Sequence, residues 1–117
     1  MDLSPTERIR ALNDRLRTAR DPIAALMMNG SLVITAGIVG EGPAFVVRCV
    51  AAVRAFADFT PQNDPHGEHD MAFLTIDGRR IFFKVDYFDR ELEYLSPDPA
   101  DAGVTRRVLT IALADEY

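Results

Sequence analysis

The chain has 117 residues, 48% of them apolar and 26% charged, with a formal net charge of −5. That size predicts a single domain over 1–117, because either half alone would be too small to bury a core. No apolar run reaches the roughly 18 residues of a bilayer span, the N-terminal stretch lacks a signal peptide's basic-then-apolar order, and a lone cysteine excludes an internal disulfide and a Cys-rich zinc site.

These properties predict a cytoplasmic protein with no membrane partner. The negative charge also argues against direct nucleic-acid binding. The oligomeric state stays open.

Ser4, Pro5 and Glu7 form a capping-box start. Ile9, Leu12, Leu16 and Ala19 then recur at the helical period, while Arg8, Arg10, Arg15 and Arg17 fall mainly off that face. The helix should stop near Arg20, because Asp21-Pro22 disfavours continuation. Residues 23–28 fit either a strand or a helical turn, since Asn29-Gly30 follows as a hairpin signal. Residues 32–35 have strand composition in either case, in a strand that could run to Ile38. Gly40 and Gly42 break the chain. Pro43 then opens a second helix, with Phe45, Val46, Cys49, Val50, Val53 and Phe56 along a broad apolar face.

Residues 58–70 carry two prolines, Gly67, Asn63 and Asp64 and read as a long loop, a kind of segment that often carries function. Residues 71–76 and 80–86 flank Asp77-Gly78 as a hairpin. Residues 91–95 alternate polar and apolar as a half-exposed strand should. Ser96-Pro97-Asp98-Pro99 predicts the cap of a final helix buried through Val104, Val108, Ile111 and Ala112. The expected fold is therefore α+β, in the order α-β-α-β-β-β-α. It comprises an antiparallel sheet of about four strands and three helices. The expected core is Ile9, Leu12, Leu16, Val33, Phe45, Val50, Val53, Phe73, Phe83, Val85, Val108 and Ile111.

Charge is unevenly spread. Residues 58–101 hold a net −7, and Lys84 is the chain's only lysine. One candidate site is Asp64, His66, Glu68, His69 and Asp70. Imidazoles beside carboxylates suit zinc, manganese or iron(II), so His66, His69 and Asp70 could serve a metal-dependent hydrolase. The zincin order His-Glu-x-x-His is not met. The competing expectation is that His69 bonds a nearby carboxylate or carbonyl and pins the loop, with no cofactor.

A second candidate is Asp86, Asp89, Glu91, Glu93 and Tyr94. Paired carboxylates could serve a glycosidase or hold magnesium. A restriction-nuclease arrangement needs an acid two residues before the lysine, where Phe82 stands. On an alternating strand Glu91 and Glu93 share the polar face and could meet a basic protein surface. Cys49, among valines, is expected to be a buried, inert thiol. The glycines at 37, 40 and 42 do not have phosphate-loop spacing.

Residues 63–70 (Asn-Asp-Pro-His-Gly-Glu-His-Asp), 84–94, 96–101 (Ser-Pro-Asp-Pro-Ala-Asp) and 105–110 together resemble a small bacterial family known only as a domain of unknown function. The resemblance runs from the first helix to the C-terminus. It implies no chemistry. It does imply an origin on mobile elements and an accessory or anti-defence role, such as inhibition of a CRISPR or restriction complex. Asp64, Glu68, Asp70, Asp86, Asp89, Glu91, Glu93 and Tyr94 would then bind a basic surface of a nucleic-acid-handling complex.

Overall fold

The computed structural model of the chain describes residues 2–117. Helix α1 (Pro5–Arg17) begins with the expected reciprocal cap: the Ser4 hydroxyl accepts the Glu7 amide, and the Glu7 carboxylate accepts the Ser4 amide, each at 3.1 Å. Residues 23–28 resolve as helix. Asp21 accepts the Ala24 amide at 2.8 Å and starts α2 (Pro22–Met27). Asn29, in the left-handed region, turns the chain directly into strand β1 (Gly30–Ile34). No hairpin forms there.

The expected strand over 32–38 ends early. Thr35 caps a short helix α3 (Ala36–Gly40), and α4 (Pro43–Ala55) follows. Strands β2 (Met71–Ile76), β3 (Arg79–Phe88) and β4 (Arg106–Leu113) complete one sheet in the order β1-β4-β3-β2, and a 3-10 turn (Ala114–Glu116) ends the chain. The β2-β3 and β3-β4 pairs are antiparallel, but β1 runs parallel to β4. The sheet is therefore mixed and the α-helices number four among the described residues, in place of the antiparallel sheet and three helices expected.

Two further corrections concern the second half. The final helix is absent, and 106–113 form a central strand. Val108-Leu109-Thr110-Ile111 is rich in β-branched residues, and alternate residues Arg107, Leu109, Ile111 and Leu113 are buried. The helical spacing of Val104, Val108 and Ile111 is a coincidence of a strand packed on both edges. The expected strand at 91–95 is also absent. That segment is an excursion touching the sheet through one bridge, Leu95 to Phe88.

The core lies between the helices and one sheet face. Leu16, Ala25, Ile38, Phe45, Cys49 and Val53 meet Ala72, Ile81, Phe83, Val85, Leu109 and Ile111. Expected core residues Val33 and Phe73 are instead 43% and 39% exposed, because they stand on the other sheet face, on its two outer strands. Ile9, Leu12, Val50 and Val108 are half-buried. Among the described residues no helix is long and apolar enough to cross a membrane.

Candidate functional site

The 58–70 loop is built from short polar turns. The Thr60 amide donates to Asn63 Oδ1 at 2.8 Å, and the Asn63 amide donates back to Thr60 Oγ1 at 3.2 Å. Gly67 and His69 adopt positive φ. This backbone bend lets the His69 amide reach Asp64 Oδ1 at 3.1 Å and turns the His69 ring toward α1.

The ring is held on three sides. His69 Nδ1 lies 2.9 Å from Asp14 Oδ1, Nε2 lies 3.6 Å from Asp64 Oδ2, and Phe59 stacks on the ring face with centroids 3.8 Å apart. Asp14 also accepts from Arg17 at 2.9 Å. The Arg17 guanidinium in turn donates to the carbonyls of Val53 (3.0 Å) and Phe56 (2.6 Å). It thereby satisfies the C-terminal end of α4 with a buried cation, where the helix dipole favours positive charge. Arg17 is thus inside the protein, contrary to its expected place off the buried face.

A second chain of contacts lies beside the first. Asn13 is fully buried. Its amide group donates to the Glu68 carbonyl (3.0 Å) and to the Tyr87 hydroxyl (2.7 Å) and accepts from Arg107 Nε (2.9 Å). Tyr87 donates on to Glu68 Oε1 at 2.8 Å. Burial pushes the Tyr87 phenol well above its ordinary range and lowers the Arg107 guanidinium from its own. Burial likewise raises the Asp70 carboxyl, and the nearby charges of Glu68 and Asp64 add to the effect.

The structure therefore divides the expected site residues. Asp64, Glu68 and His69 are spent on internal bonds, and Asp70 is half-buried. His66 is exposed on the rim of an open cleft shared with Arg10, Phe59, Pro61 and Pro65. Thr60, the one hydroxyl lining that cleft, is committed to the turn with Asn63. Among the described residues no three His, Cys, Asp or Glu side chains converge so as to hold a metal ion. Chemically, the arrangement around His69 fixes a loop to a helix.

The second acidic cluster is different. Asp86 pairs with Lys84 at 3.2 Å, and Asp89 caps its own turn by accepting the Glu93 amide at 3.0 Å. The Asp89 amide bonds the Tyr94 carbonyl, and Leu92 takes a positive φ, so 90–93 project as a tight lobe. Arg90 fastens the lobe to the Gly103 carbonyl at 3.0 Å. Below it, Ser96 and Thr105 share a 2.7 Å hydroxyl contact. Glu91 and Glu93 are exposed, as are Leu92 (49%), Tyr94 (72%) and Leu95 (78%).

Sequence reasoning missed Asn13, Asp14, Arg17 and Arg107. A signal was present for two of them: Asn13 and Arg17 bracket Leu16 on the stripe of α1 that turns inward.

The family described as Protein of unknown function (DUF3768) matches residues 34–116, and the chain belongs to that family. The match leaves α1 and α2 outside its range, although α1 supplies the partners of the 58–70 loop. No curated protein and no solved structure matches the chain.

Proposed function

We propose that the protein is a non-enzymatic interaction module and that the 89–95 lobe is its contact surface. The observation that carries this reading is the composition of the lobe. Three large apolar side chains, Leu92, Tyr94 and Leu95, are exposed next to the exposed carboxylates of Glu91 and Glu93. An exposed tyrosine with apolar neighbours is typical of an interface centre, and a charged rim steers the partner's approach.

The rigid base at Ser96 and Thr105 supports the reading further, since it lowers the ordering cost of binding. The partner is a basic surface with an apolar slot. A phosphate-binding surface of a nucleic-acid-handling complex has that chemistry, and an acidic lobe seated there would inhibit it.

The test is charge reversal at Glu91 and Glu93 together. Partner capture should fall and lose its salt dependence while the melting temperature holds. Capture that survives the reversal defeats the proposal.

A further inference from the structure

The sheet face turned away from the helices differs in charge from the rest of the chain. On β3 it carries Arg80, Phe82, Lys84, Asp86 and Phe88. The register sets Phe73 of β2 beside Phe82, and Arg106 of β4 beside Phe88. Three cations therefore stand along β3 at every fourth residue: Arg80, Lys84 and, beside position 88, Arg106. At about 3.3 Å per residue their backbone positions are about 13 Å apart, along a track of about 26 Å.

Aromatic rings occupy the interval between Arg80 and Lys84. Phe73 and Phe82 have centroids 5.5 Å apart, and Tyr117 lies 5.3 Å from Phe82 and 6.2 Å from Phe73. Phe82 is buried, whereas Phe73 and Tyr117 are exposed. The Arg80 guanidinium lies over the Phe73 ring at 5.3 Å. Among the described residues, the strand positions of this face hold one acid, Asp86, which pairs with Lys84 at 3.2 Å. None of the ion pairs among those residues engages Arg80 or Arg106. Three cations against one acid reverse, on this face, the sign of a chain whose net charge is −5. The overall charge argues against nucleic acid for the chain as a whole, but not for this surface.

We infer that this face binds a single strand of nucleic acid, laid along β3, independently of the 89–95 lobe. Exposed rings between regularly spaced cations match what an unpaired strand offers: bases stack on the rings and phosphates meet the cations. A duplex keeps its bases stacked on one another, and an acidic peptide has no series of planar groups to use the rings. Stacking accepts every base, so the site tolerates any sequence.

The test is fluorescence anisotropy of a labelled oligothymidylate of about 12 nucleotides, titrated with the intact chain at low salt. Binding should saturate, weaken as salt rises, and exceed binding of a duplex of the same length. Phe73→Ala and Arg80→Gln should each weaken it about tenfold, with thermal melts confirming that the variants fold. Asp86→Asn, which frees Lys84, should strengthen it. Should Phe73→Ala misfold, Arg80→Gln and Asp86→Asn decide. No binding at low salt overturns the inference, as does binding that Arg80→Gln leaves unchanged or that the duplex matches. Displacement by polyglutamate as readily as by unlabelled oligothymidylate also overturns it, and marks a site for an acidic protein instead.

Discussion

Asn13 and Arg107 lie 94 residues apart in sequence and share a buried hydrogen bond of 2.9 Å. That one contact joins the first helix to the last strand. It also places the Asn13 amide to hold Glu68 and Tyr87, so helix, sheet and loop meet at a single side chain. Substituting Asn13→Ala leaves Arg107, Tyr87 and the Glu68 carbonyl each short of a partner inside the protein. Denaturant unfolding should show a loss of about 2–4 kcal/mol. A loss near zero would mean that water replaces the amide at no cost.

Val53 is 1% exposed and sits in the core where α4 meets the sheet. Val53→Ala should cost about 1–3 kcal/mol through the cavity left behind. The same denaturant experiment reads it, and an unchanged midpoint would place Val53 outside the core.

His69 pins the 58–70 loop through Asp14 and Phe59. In His69→Ala the loop should become the preferred site of limited proteolysis while the sheet amides keep their protection. Zinc or manganese added to the native chain should leave the melting temperature where it was. A metal-dependent rise in that temperature would show that the loop binds the ion after all.

Asp70 has its carboxyl raised by burial. Its charged form is therefore disfavoured in the folded chain. The resulting penalty appears as pH rises from the unfolded value through the folded one, and it is fully present at neutral pH. Asp70→Asn should raise stability near neutrality, and the gain should vanish at about pH 3, where the carboxyl is protonated in both states. Urea melts at the two pH values check this; an equal gain at both would rule out an electrostatic origin.

Local signals in the sequence were reliable where the chain decides its own conformation. The Ser4–Glu7 box, the Asp77-Gly78 hairpin and the apolar face of α4 are all set within a few residues. The errors fall where tertiary pairing decides. Residues 106–113 are a strand because β1 and β3 flank them, and no local feature marks that double pairing. Residues 91–95 alternate like a strand but have no neighbour with which to pair beyond Phe88. For the site, the His69 bond to a carboxylate was legible from the loop's composition. Its partner was not, because Asp14 lies 55 residues away. Charge counting also overstated the acidic surface, since Asp64 and Glu68 turn inward and leave Glu91 and Glu93 as the free pair.

The central claim is that the 89–95 lobe is where a partner docks, and site-specific photo-crosslinking in cells tests it most directly. A photoreactive residue replaces Tyr94 in one version of the chain and Val47, exposed on α4, in another. The account predicts one dominant adduct from position 94, of a protein with a basic surface, lost when Glu91 and Glu93 are reversed in charge and absent from position 47. Equal adducts from both positions, or an adduct at 94 that ignores the charge reversal, would contradict it.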